Sequence, residues 1–136
     1  MVLLHTSDIL RIYLDERRSL LETEWLDYAS GEPLRQSLTL ALRLARENRV
    51  LGLVTNQQGM RTISPADQQW IHDNFLPALV GLPLRRFGVV VSRDPLNRMA
   101  MKTIAEHMTV DFPAEVQTFE TPEQARRWVA PAPPTS

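Results

Sequence analysis

Residues 50 to 54, Val-Leu-Gly-Leu-Val, form a near-continuous apolar run that stops abruptly at Thr55. Such a run fits a central strand with both faces covered, because each side chain must leave water whichever way it points. A polar stretch with one glycine follows, Thr55-Asn56-Gln57-Gln58-Gly59-Met60-Arg61, and then Ser64-Pro65-Ala66-Asp67. That quartet reads as a helix start: a hydroxyl cap, proline at the first helical position and an acid two residues later. A buried strand feeding a capped helix is half of a β-α-β unit, so the chain is constrained toward an α/β fold with parallel strands. In open α/β sheets, sites lie outside the carboxyl ends of the strands. The loop after Val54 is therefore the first place to look for function.

The rest of the chain repeats the theme. Residues 9 to 25 read as a β-hairpin around the charged turn Asp15-Glu16-Arg17-Arg18, with Glu22 and Glu24 alternating against Leu21, Thr23 and Trp25. That period of two predicts one core face and one solvent face, with both glutamates in water. Pro33 suits a first helical position, and Leu34, Leu38, Ala41, Leu42 and Ala45 follow at helical spacing. After the helix that opens at Ser64, Pro77 should bend or end it early, and Gly81 can close it. Residues 85 to 92 predict a second buried strand. Asp94-Pro95 opens a helix whose stripe is Met101, Ile104, Ala105 and Met108, with Ala100 alongside. Residues 115 to 119 alternate as a short strand, and Thr121-Pro122-Glu123-Gln124 caps the last helix. The expected order is β-β-α-β-α-β-α-β-α. It makes a single α/β domain over residues 1–130, with a mixed, mostly parallel sheet of about five strands. Residues 131–136, rich in proline, read as a disordered tail.

Composition argues against several functions. At 136 residues the chain suits one domain with a proper core, and its net charge of -1 argues against a nucleic-acid binder that relies on a broad basic field. There is no cysteine, hence no thiol nucleophile and no cysteine-based zinc site. The start, Met-Val-Leu-Leu-His-Thr-Ser-Asp, lacks the basic residues and long apolar stretch of a signal peptide, and no run is long enough to span a bilayer. A cytoplasmic protein is expected. His5, His72 and His107 are far apart, and the neighbouring His72 and Asp73 should diverge on a helix. There is no G-x-S-x-G elbow; Ser92 reads as a strand-end serine. Glu22 and Glu24 lie roughly 7 Å apart by strand geometry, a separation of interest for glycoside chemistry, but a solvated face cannot raise a carboxylate pKa. No cofactor, metal or catalytic role is expected.

The element order, the Trp25-Leu26 end of the hairpin, "VLGLVTN" followed by "ISPADQQWI", "RRFGVVVSRDP" and the closing "FETPEQARRWV" together resemble the STAS fold of bacterial anti-sigma-factor antagonists. Within that fold the chain looks like the divergent SpoIIAA-like proteins, and the resemblance covers residues 9 to about 130. It implies an interaction or ligand-binding domain, often self-associating. In the antagonists a serine or threonine just after the central strand is phosphorylated, and the added charge breaks partner binding. Here that place reads Thr55-Asn56-Gln57-Gln58-Gly59, without the usual aspartate or serine, which leaves Thr55 as the acceptor to consider.

The expected function is a non-enzymatic regulatory or protein-interaction module that pairs with a protein partner or a second copy. Its surface would comprise Thr55, Asn56, Gln57, Gln58, Gly59, Arg61, Ser92 and Arg93. Arg61 beside the helix start at Ser64, and Arg93 beside the start at Asp94, are candidates for holding an anion. The alternative is a small-molecule or lipid carrier, with an apolar pocket between sheet and helices to which Met99, Met101 and Met108 would contribute. Trp25, Trp70 and Trp128 read as packing anchors.

Overall fold

A computed structural model describes residues 1–106 and 112–130. Its sheet begins earlier than the sequence predicts. Strand β1 (Val2–Thr6) pairs antiparallel with β2 (Leu10–Asp15), which pairs antiparallel with β3 (Leu20–Trp25). The strip Val2-Leu3-Leu4 has no polar alternation to mark it as a strand. It is an edge strand with exposed apolar side chains, ordered by its ladder to β2 rather than by burial. The sheet therefore has six strands rather than about five.

From β3 onward all pairing is parallel: β3 with β4 (Gly52–Asn56), β4 with β5 (Arg86–Val90), and β5 with β6 (Glu115–Phe119). The order in space is the order in sequence. Successive right-handed crossovers then place every connecting helix on one face. Those helices are α1 (Gly31–Glu47), the pair α2 (Pro65–Trp70) and α3 (Leu76–Val80), and α4 (Pro95–Glu106). Leu10, Ile12, Leu14, Leu21, Trp25, Leu53, Phe87 and Val89 face them and form the main core with Leu34, Leu38, Ala41 and Ala45. Helix α5 (Pro122–Val129) follows β6 and returns across the opposite face, over Leu20, Val54 and Val90.

This second face departs from expectation. Glu22, predicted to be solvated, is 1% exposed. Arg126 of α5 grips its carboxylate with two charge-assisted bonds, Nε to Oε1 at 2.5 Å and Nη2 to Oε2 at 2.7 Å. The alternating pattern was right about which way Glu22 points, but the face it points to is covered. Glu24, two residues further along the same face of β3, stays half-buried against Tyr13 and Arg11. Helix α5 can approach this closely because Gly52 and Gly88 lie beneath it. A Cβ at Gly52 would overlap a Val129 methyl, and one at Gly88 would lie 2.8 Å from the other.

Pro77 does not end its helix. Residues Ile71–Phe75 form a π-helical turn between α2 and α3, with the Leu76 N–H bonded five residues back to the Ile71 carbonyl. Proline cannot donate and crowds the carbonyl four residues earlier; the wider turn absorbs both defects, so the rod runs on to Val80. The same turn corrects a second expectation. The smaller rotation per residue brings His72 Nδ1 to 3.0 Å from Asp73 Oδ1, although neighbours on an α-helix diverge. Bonds from Gln69 and then His72 hold the exposed Asp73 carboxyl below its ordinary value.

The caps formed as predicted at Ser64 and Thr121, whose hydroxyls accept the N–H groups of Asp67 and Gln124. Asp67 does more than cap. It is 2% exposed, accepts the Ser64 hydroxyl at 2.9 Å and the Gly31 N–H at 3.2 Å, and lies 3.5 Å from Arg35 Nε. One carboxylate thus ties the start of α2 to the start of α1, while Arg35 stacks on Trp70 at 5.8 Å. Among the described residues, no helix is long and apolar enough to cross a membrane. The residues expected to form a tail, 131–136, lie outside those described, as do His107 and Met108.

Candidate functional site

The layer between the sheet and helices α1 to α4 is not filled. The strands contribute Thr23 and Thr55 where larger side chains would reach further, and α1 contributes Ala41 and Ala45. What remains is a cavity of about 370 Å³, walled mainly by apolar atoms of Leu34, Leu38, Leu53, Ile71, Phe87 and Val89. That is more than twice the roughly 150 Å³ of an engineered cavity that stays dry and binds benzene. It is also within the range of natural small-molecule pockets, roughly 300–1,000 Å³. Arg98, Lys102, Val116 and Thr118 line it while also being exposed, so it is reached from solvent between α4 and β6.

One end of the cavity is polar, and it lies at the carboxyl edge of β4 and β5. Trp25 donates its indole N–H to the Thr55 hydroxyl at 3.2 Å. Ser92 donates to the Met60 carbonyl at 2.6 Å. Asn97, completely buried in the first turn of α4, donates its side-chain amide to the Arg61 carbonyl at 2.8 Å, which leaves its Oδ1 without a hydrogen-bond partner. Gln57, 5% exposed, has its Nε2 3.5 Å from the Met101 sulfur, and its Oε1 likewise has no partner. Met101 lies one turn after Asn97 on α4, so the two amides belong to the same end of the cavity. Among the described residues, no acidic side chain lines the cavity.

The predicted partner surface divides in two. Thr55, Asn56, Gln57 and Ser92 are buried; Gln58 is half-buried, and Gly59, Arg61 and Arg93 are exposed. Thr55 and Asn56 belong to strand β4 rather than to the loop, because the ladder to β3 and β5 extends through them. Asn56 faces the α5 side and accepts the Gln58 N–H at 3.1 Å. The Thr55 hydroxyl faces the cavity, enclosed beneath the helices and engaged by Trp25. Gly59 packs on the end of the hairpin, where a Cβ would come within 3.0 Å of the Trp25 carbonyl.

Both helix starts considered for anions already hold carboxylates. Asp67 occupies the first. At the second, Asp94 accepts the Leu96 N–H at 2.9 Å and the Thr62 N–H at 3.2 Å. Arg61 pairs with Asp27 at 3.7 Å. Of the methionines, Met101 lines the cavity, whereas Met99 is 67% exposed. Among the described residues, no group of three or more His, Asp or Glu side chains could hold a metal ion.

Asn97 is the site residue that the sequence reading missed. Its signal was present: Asn97, Met101 and Ile104 recur at i, i+4 and i+7, so the apolar stripe of α4 opens on an amide. Trp25, read as a packing anchor, packs against the cavity and holds Thr55. Comparison with protein-family models, with curated proteins and with solved structures finds no match to this chain.

Proposed function

We propose that this chain is a cytoplasmic, non-enzymatic STAS-like domain that binds a small apolar or amphipathic molecule between its sheet and helices α1 to α4. The observation that carries this reading is the cavity of about 370 Å³ with its mainly apolar wall and a polar end at the carboxyl edge of β4 and β5. Burial of apolar surface in such a space is favourable by about 25 cal/mol per Å² before the costs of association. By proportion with the benzene-sized cavity, the space suits a chain of about fifteen carbons at most. The resemblance to SpoIIAA-like domains supports a binding or regulatory role over chemistry.

The test is native mass spectrometry of the full chain purified without detergent, followed by calorimetric titration with decanol. A non-covalent adduct, or saturable one-to-one binding that Ala41→Phe abolishes, supports the proposal. A chain that carries nothing and binds no ten-carbon amphiphile counts against it.

A second reading, an interaction module that pairs with itself or with a protein partner, is favoured by the exposed apolar strip Val2-Leu3-Leu4 on edge strand β1. Its accessible loop surface would be Gln58, Gly59, Arg61 and Arg93. Sedimentation equilibrium of the wild type and of Leu3→Lys separates it from a monomeric carrier.

A further inference from the structure

We infer that the ligand's head group is neutral and donates hydrogen bonds, as in a long-chain alcohol, a vicinal diol or a primary amide, and that Gln57 and Asn97 receive it. This inference rests on the cavity reading above and specifies its chemistry. Buried polar atoms in folded proteins nearly always have partners, because an unmade hydrogen bond costs the full desolvation of the group. Two acceptors on residues that line this end of the cavity break that rule: Asn97 Oδ1 and Gln57 Oε1. The Asn97 amide orientation is fixed by its bond to the Arg61 carbonyl, so the atom left over is the oxygen. The Gln57 amide is oriented by its contact with Met101. An oxygen that accepts calls for a donor on the ligand.

The charge of the head group follows from the surroundings. Among the described residues no carboxylate lines the cavity to balance a cation, and Arg98 and Lys102 stand at its mouth, where they oppose one. A carboxylate head would place anionic oxygens against two carbonyl-type oxygens, a repulsive pairing in a site of low dielectric. A neutral donor avoids both penalties. Its tail then lies along Leu34, Leu38 and Leu53 toward the closed end.

Calorimetric titration of the full chain with three ligands of similar length tests this: decanol, methyl nonyl ether and decanoate. The ether has the same number of heavy atoms as the alcohol but no donor. Decanol should bind about tenfold tighter than the ether, as one satisfied buried acceptor implies, and tighter than decanoate. In Gln57→Met with Asn97→Leu, decanol should fall to the ether's affinity while the ether binds as before, which also reports that the cavity is intact. Gln57→Met alone serves if the double variant does not fold, and should narrow the preference. Equal binding of alcohol and ether overturns the head-group inference and leaves the cavity reading standing. Tightest binding by decanoate overturns it in favour of an anionic head held by Lys102 and Arg98. An alcohol preference that survives both substitutions overturns the assignment to these two residues. Failure of all three ligands to bind defeats the cavity reading itself.

Discussion

Glu22 and Arg126 meet across 104 residues of sequence, the glutamate fixed in the middle of a six-stranded sheet and the arginine on the helix that closes its second face. The pair is lopsided: the Glu22 side chain is 2% exposed and that of Arg126 is 32% exposed. The two ends therefore differ in what their loss exposes. Removing Arg126 strands a charge that water cannot reach, whereas removing Glu22 leaves a guanidinium that can turn outward. Arg126→Met should cost about 3 kcal/mol and Glu22→Leu distinctly less, with the double variant recovering much of the loss. Urea denaturation of the four proteins measures this, and equal costs for the two single variants would contradict it.

The same pair makes a pH prediction. The hydrogen bond to Glu22 holds the Arg126 guanidinium above its ordinary value, outweighing the opposing effect of burial. A cation whose folded pKa is raised contributes stability that is complete below the unfolded value, which for arginine lies far above neutral pH, and is lost only as pH climbs through the folded one. The coupling energy from the four-protein cycle should therefore be flat from about pH 6 to pH 9. A coupling that decays across that interval would show that a different group titrates with the pair.

Why Glu22 was misread shows which parts of the fold were legible. Strand direction, helix starts and the parallel order follow from local patterns, such as Ser64-Pro65 or the run ending at Val54, and these hold. What α5 covers is decided by a partner a hundred residues away, so a charged, alternating strand looked solvated. Strand β1 escaped because Val2-Leu3-Leu4 has no period to reveal it, only a neighbour to pair with. Polar residues 55 and 56 suggest a loop, yet β4 runs through them. Thr55 and Asn56 are strand because Thr23, Glu24, Val89 and Val90 lie alongside to complete their ladders. The cavity was the hardest to foresee, because empty volume is a property of how layers stack. Of its walls only Met101 is named from sequence; Met99, named with it, is exposed, and Met108 lies outside the described residues.

The closeness of α5 to the sheet depends on two glycines. In an ordinary strand Gly→Ala is neutral or helpful, since glycine weakens strands. At Gly88 the added methyl meets Val129 Cγ2 at 2.8 Å, and at Gly52 it overlaps the other branch. Each substitution should cost about 1–3 kcal/mol through overpacking. Val129→Ala should cost less in the Gly88→Ala background than in the wild type, because it removes the clash as well as the contact. Chemical denaturation gives both numbers, and strict additivity would contradict the proposed clash.

Asp67 links the starts of two helices, so its loss should exceed that of an ordinary cap. Ser64→Ala removes one capping hydroxyl, worth about 1 kcal/mol. Asp67→Ala leaves the half-buried Gly31 N–H without its acceptor and Arg35 without its anion, and should cost about 2–3 kcal/mol. Hydrogen exchange adds a sharper readout. The Gly31 amide, bonded to both Asp67 oxygens at 3.2 Å, should lose protection in Asp67→Ala but keep most of it in Ser64→Ala.

Filling the cavity separates a binding site from a packing fault. Ala41 lines the cavity from α1 and is 6% exposed. In a well-packed core, Ala41→Leu would force neighbours aside and cost about 1–3 kcal/mol, lowering Tm by several degrees. In an unfilled space the added carbons find apolar contact at no steric cost, so Tm should hold or rise. The same variant should lose decanol affinity by at least tenfold, because its side chain occupies the volume that the ligand needs. Stability and binding are thus predicted to move in opposite directions from one substitution. Thermal melts and calorimetry on Ala41→Leu decide the matter, and a drop in Tm together with unchanged decanol binding would show that the ligand, if one binds, goes elsewhere.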